Sequence, residues 1–223
     1  MKLLAAKPDL TMQTRAVIRR AIMSGELQPG APLAQHELAQ QLGVSRQPIS
    51  HALKLLRQEG LVVDRGRKGQ MVAPIDADRL LALYQVRGAL DRLAAQLASS
   101  CGSDKARQLR VVADEGVLLA KAGEVEPLVA ADEKFHRLLH ELSGNPEIGV
   151  STELLWPHLV RSMRVVLENI SDWGKIWREH QAIADAVIAG DAIHAGDLAA
   201  KHAEDAGLTT HQQLCEIDKK PSI

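Results

Sequence analysis

Asp132 and His136 stand four residues apart in DEKFHRLLHEL, one helical turn, and border an apolar face made by Phe135, Leu138, Leu139 and Leu142. Further on, the stripe Trp173, Ile176, Trp177, Ile183, Ala184 and Val187 carries His180 at its centre when wound at 100° per residue. A third stripe, Ala195, Leu198, Ala199 and Ala206, is centred on His202. Polar rings in the middle of apolar stripes need partners, and Asp132 and His136 can supply them. One carboxylate and three imidazoles offer mixed N/O ligation for a divalent transition metal. Zn²⁺ is favoured, with Ni²⁺, Mn²⁺ or Fe²⁺ as alternatives, and positions remain open for water or a ligand. The same four residues can also satisfy one another as a buried His–Asp network without metal, and periodicity alone leaves both open. His140 continues the Asp132/His136 register but turns a further ~40° outward, so it is expected at the surface. His158, His194 and His211 have no comparable placement.

A metal with open positions can activate water, as hydrolases do. Glu133 and Glu179 each adjoin a ligand in sequence but point about 100° away on their helices, so no general base is poised and no enzyme is expected.

Helices must hold these side chains. From about Asp76 onward the pattern predicts them over 77–100, 104–121, 125–143, 147–169, 172–189 and 191–212. Breaks fall at Gly102, Gly123, Gly144-Asn145-Pro146, Ser171-Asp172 and Gly190-Asp191, which makes an antiparallel α-helical bundle. The alanine faces Ala94, Ala95, Ala98 and Ala195, Ala199, Ala203 favour close helix packing.

Upstream, the elements read helix, turn, helix, helix and hairpin. Thr11 precedes a run through Val17, Ile18, Ala21 and Ile22 that stops at Gly25, and LQPGAPL is a turn. A second helix ends at Gly43, and Ser45 caps a third that buries Ile49, Ala52, Leu53 and Leu56. LVVD and QMVAP form two short strands about the tip RGRKG. This is the plan of a winged helix-turn-helix. Leu38, Ala39 and Leu42 pack on Ile49, Ala52 and Leu53, leaving Ser45, Arg46, Gln47 and Ser50 at the exposed start of the third helix. An arginine there can pair with guanine O6/N7 in the major groove. The tip Arg65, Gly66, Arg67 and Lys68 suits phosphates or a minor groove.

Charge divides the same way: residues 1–75 carry +6 and residues 76–223 carry −7, within a net charge of −1. A basic third facing nucleic acid is thus joined to an acidic remainder. Over 223 residues, 46% apolar content excludes wholesale disorder. No run approaches the ~18 apolar residues of a membrane span, MKLLAAKPDL lacks a signal h-region, and no membrane partner is expected. Two cysteines, Cys101 and Cys215, fit a reducing cytoplasm, and 2% aromatics exclude stacking platforms for single strands.

The run IMSGELQPGAPLAQHELAQQLGVSRQPISHALKLLRQEGLVVDRGRKGQMV resembles the N-terminal domain of GntR-family bacterial transcription regulators. Ser50-His51 stands where that family usually has Arg-Glu, and His36 where it commonly has an arginine. Both arginines contact DNA in relatives, so Arg46 and the wing become the leading contacts and the usual operator is put in doubt. DEKFHRLLHELSGNP, EHQAIADAVIAGD and a later Lys-His resemble the FCD effector domain of the FadR subfamily, in its shorter, VanR-like branch. The resemblance implies that Asp132, His136, His180 and His202 hold a metal. It also implies that Arg87 meets an anionic effector, with an i,i+4 pair to Asp91 as the equal alternative. Arg161 and Arg164 are further candidates for that task, and Asn145 borders the pocket or simply caps a helix. The implied protein is a repressor acting as a homodimer on a near-palindromic double-stranded DNA operator, controlled by a small carboxylate. A regulator that senses its metal, or uses it structurally, is the alternative. The expected organisation is an arm over 1–11, a DNA-binding domain over 12–74, and an effector-binding and dimerisation domain over 75–223.

Overall fold

The computed structural model describes residues 9–167 and 173–218. Residues 1–8 of the expected arm, 168–169 and 172 of two expected helices, and the Ser171-Asp172 break lie outside the described residues. Contacts divide the chain into two units, Met1–Ile75 and Asp76–Ile223.

In the first unit, α1 (Leu10–Met23) is capped by Asp9, whose carboxylate accepts from the Thr11 and Met12 amides. The helix therefore starts just ahead of Thr11. Then follow β1 (Pro32–Leu33), α2 (Gln35–Leu42), α3 (Arg46–Gln58), β2 (Val62–Asp64) and β3 (Gln70–Val72). Gly43 ends α2 at φ 64°, a left-handed turn that other residues enter at a cost, and this turn sets α2 against α3. Ile18, Ile22, Leu38, Ile49, Leu53 and Leu56 close the core. The sheet has three antiparallel strands in the order β1-β3-β2, with Pro32 opposite Met71 and Val63 opposite Met71 on the other side. The stretch expected to be only a turn thus contributes an edge strand. Its proline is tolerated there because an edge needs no second donor.

The second unit is all helical among the described residues: α4 (Ala77–Ala98), α5 (Ser103–Ala122), α6 (Val125–Leu142), α7 (Pro146–Thr152), α8 (Trp156–Leu167), α9 (Trp173–Ile188) and α10 (Ala192–Asp218). The helix expected over 147–169 is two helices. Pro157 has no amide hydrogen and its ring crowds the carbonyl four residues back, so the chain turns at 153–155 and restarts with Pro157 in its first turn. Asp78 meets His211 while Arg92 meets Asp197, so α4 and α10 run antiparallel. Their alanine faces, Ala94, Ala95 and Ala98 against Ala195, Ala199 and Ala203, are buried.

Helix α5 meets α9 at Gly116, where a Cβ would lie 2.1 Å from Trp177 Cε3. The indole lies against bare backbone. Gly116→Ala must push it aside, and we expect a loss of about 1–3 kcal/mol in urea unfolding. A wild-type midpoint would mean that the indole moves freely.

Candidate functional site

Ser45, Arg46, Gln47 and Ser50 are all exposed at the start of α3. Ser45 occupies the cap position without a side-chain bond to its helix. His36 is exposed on α2 beside Glu37. Arg65, Gly66, Arg67 and Lys68 are exposed at the wing, where Gly66–Lys68 forms a single 3₁₀ turn. A groove between α3 and the wing is lined by Ser50, His51, Lys54 and Lys68. Lys54 was not singled out from sequence, although it follows Arg46 and Ser50 at successive four-residue steps on the exposed face.

In the helical unit, Asp132 and His136 on α6, His180 on α9 and His202 on α10 converge, with one ligand-type atom from each lying within 4.8 Å of the others. All four are buried. The Nε2 atoms of His136 and His180 are 3.1 Å apart, and Asp132 Oδ1 lies 3.5 Å from the latter. Burial pushes His136 down to about 4, helped by the positive charge of Arg87. Burial, then His202 and His136, hold His180 well below the usual imidazole range. Both rings are neutral at pH 7, as ligation requires.

Three features fit a cation. Two imidazole nitrogens face each other beside a carboxylate. Among the described residues, Asp132 Oδ2 and His180 Nδ1 have no hydrogen-bond partner. Of the two, Asp132 Oδ2 is the one a cation would satisfy, since His180 Nδ1 is left unpaired in either tautomer. His202 Nδ1 donates to Glu179 Oε2 at 2.8 Å, which fixes its tautomer and frees Nε2. Glu179 was expected to point away from the cluster; it turns away from its neighbour His180 only to meet His202 on α10.

Behind the cluster lies Asp91, which has no solvent exposure. Its Oδ2 accepts from Arg87 Nε at 3.0 Å and lies 3.3 Å from His136 Nδ1. Its Oδ1 accepts from His140 Nε2 at 2.6 Å. Burial opposes its charge, but His136, Arg87 and His140 hold its carboxyl well below the usual range. His140 is therefore buried rather than at the surface. The outward turn of α6 is covered by α4 and α7, and Thr152 Oγ1 stands 3.3 Å from His140 Nδ1.

Arg87 makes the i,i+4 pair with Asp91 that was the alternative to an effector contact. It pairs with Asp91, its Nη2 donates to His136 Nε2, and it lines a cavity of about 370 Å³ together with Asp132 and His202. Its Nη1 is buried and has no partner among the described residues. Asn145, Arg161 and Arg164 do not line this cavity. Asn145 caps α7 through Glu147 N, and Arg164 pairs with Glu126. Burial, then Arg79, pulls buried Arg161 down to about 10.

A winged helix-turn-helix followed by a helical bundle is the architecture of a DNA-binding transcription regulator. Residues 10–72 match the family described as bacterial regulatory proteins, gntR family, and residues 82–205 match the FCD domain. The chain belongs to the GntR family of transcription regulators, with an FCD domain as its second part. It is 35% identical to an uncharacterized HTH-type transcriptional regulator in an unstable DNA locus of Streptomyces ambofaciens, over 78% of this chain and 73% of that one. It is 27% identical to a probable D-xylose utilization operon transcriptional repressor of Paenarthrobacter nicotinovorans, over 83% and 81%. Its fold is similar to that of E. coli McbR/YncC, with a TM-score of 0.76, 20% identity, and coverage of 95% and 100%. No helix among the described residues is long and apolar enough to cross a membrane.

The neutral histidines carry a pH signature. Their folded values lie below the unfolded ~6.5, so the unfolded chain takes up protons first as pH falls. With a chelator present, stability should fall from about pH 6.5 toward 4, by up to ~1.4 kcal/mol per unit for each histidine. The check is urea unfolding at pH 7, 6 and 5, in which His136→Gln should flatten the slope. An equal slope in the variant would show that His136 takes up no proton on unfolding.

Proposed function

We propose that this chain is a repressor whose operator affinity is set by a small carboxylate, bound where Arg87 and the Asp132/His136/His180/His202 cluster meet one cavity. The observation that carries it is that Asp132 and His202 of this cluster line one cavity with Arg87, whose buried Nη1 has no hydrogen-bond partner among the described residues. A divalent ion held by those four residues, Zn²⁺ first, would supply open Lewis-acidic positions for one carboxylate oxygen. Arg87 would hold the other through its guanidinium fork. Asp91 keeps Arg87 and His136 aligned for this. The lone pair of His136 Nε2 serves either the Arg87 N–H or a cation, so ligation would release Arg87 Nη2 toward the carboxylate.

The protein acts in this reading as a cytoplasmic homodimer that sets two α3 helices on a near-palindromic operator. Ser45, Arg46, Gln47 and Ser50 face bases, while His36 and the wing residues Arg65, Gly66, Arg67 and Lys68 face the backbone or minor groove. The repressor reading is supported by the name of the Paenarthrobacter relative.

Protein purified without chelator should carry about one metal per chain by elemental analysis, as the four-ligand set implies. His180→Ala and His202→Ala should each lose it while still binding DNA. Absence of metal after Zn²⁺, Ni²⁺ and Mn²⁺ additions would leave the cluster as a hydrogen-bond network. On an operator selected from random duplexes, Arg46→Ala should weaken binding by about 1–3 kcal/mol and relax one base position. In the same anisotropy assay, Arg67→Ala should lower the salt slope by about 1 without changing sequence preference. Unchanged binding in Arg46→Ala would remove it from the base-reading set.

A further inference from the structure

The walls of the cavity differ from its floor. Leu128 on α6, Met163 and Val166 on α8, and Trp173, Ile176 and Trp177 on α9 make up its apolar lining. Tyr84 adds a third aromatic ring beside Arg87. The polar groups toward the mouth include two acids, Glu179 and Asp205, against Lys175. Lys175 lies 3.8 Å from Glu179, and Asp205 pairs with Lys201 at 2.9 Å. Thr209, Thr210 and Gln213 complete the polar lining without adding charge, so among the described lining residues a second carboxylate would find, beyond Arg87, one cation, Lys175, which already lies 3.8 Å from Glu179.

The buried charges set the ligand's own charge. Arg87 and Asp91 are fully buried and compensate each other, leaving Asp132 as one uncompensated negative charge. With a divalent ion the floor carries one net positive charge, which a single carboxylate neutralises. A dianion would leave a buried excess of negative charge with no partner. Size narrows the class again. A cavity of about 370 Å³ lies at the small end of the range for small-molecule sites.

From these features we infer that the effector is a monocarboxylate with one apolar ring, its carboxylate at Arg87 and its ring against Trp177, Met163 and Val166. This rests on the metal-and-Arg87 reading above, and it excludes dicarboxylates and sugar acids as the preferred ligands. Aromatic contact and burial of the ring supply the discrimination.

The test is calorimetry on the full chain, with its zinc content measured on the same sample. The probes are phenylacetate, benzoate, succinate and gluconate. Phenylacetate or benzoate should bind about tenfold or more tighter than succinate and gluconate. Ile176→Gln, on the half-buried part of the wall, should erode that preference without loss of zinc. Arg87→Gln should weaken every acid alike. Equal or tighter binding of succinate or gluconate overturns the inference, as does a zinc-loaded chain that binds none of the four. A chain that takes up no zinc overturns the metal reading itself, and the inference with it, and the zinc assay separates that failure from the other two.

Discussion

A negative charge without access to water has to be satisfied by its neighbours, and in the helical unit that charge is Asp91. Its two oxygens are divided between Arg87 on its own helix and His136 and His140 on α6. His140 is held by a hydrogen bond through Nε2, while His136 Nδ1 lies within ion-pair distance at 3.3 Å. With Nδ1 of His136 toward Asp91, Nε2 faces Arg87 Nη2 and His180 Nε2. Without Asp91, Arg87 would be a buried cation with too few acceptors and His136 a ring free to rotate. The proposed site is thus oriented from behind by a residue that contacts neither the cavity nor the other three candidate ligands.

Much of this was legible in the chain. The 3.6-residue stripes placed Asp132, His136, His180 and His202 on inward faces of their helices, and the structure converges them. The winged plan was readable because Gly43, the polar start of α3 and the basic hairpin occur in order. What escaped has a common cause. His140 was expected outside and Glu179 away from the cluster because each was judged by its angle on one helix. Each is satisfied by a different helix: His140 by Asp91 on α4, Glu179 by His202 on α10. The two-residue strand Pro32–Leu33 has no pattern of its own and exists only through β3. Asp91 could be named as a local partner of Arg87, but its hold on two rings 45 and 49 positions away is not written in any local window.

The DNA-facing unit shows how a family face can be kept while its residues change. His36 and Ser50 stand where the resemblance to the family implies arginines, and they are weaker donors. Lys54 and Lys68, on opposite sides of the groove beside Ser50, keep that surface positive. Phosphate attraction depends on how many cations lie near the backbone more than on which positions carry them, whereas base reading depends on position. A unit built this way can keep phosphate attraction while its sequence preference differs.

Helix α5 comes so close to α9 at Gly116 that the indole of Trp177 occupies the space a methyl group would fill. The same indole stands edge-on to His180, with ring centroids 4.7 Å apart, and forms part of the cavity wall. Positions 116 and 177 are consequently one steric unit in two pieces. Across relatives they should covary: a lineage that acquires a side chain at 116 has to shrink the residue at 177, and in doing so it reshapes the chamber next to the histidines. A single glycine on a helix remote in sequence from the cluster would then be an evolutionary handle on what the chamber admits.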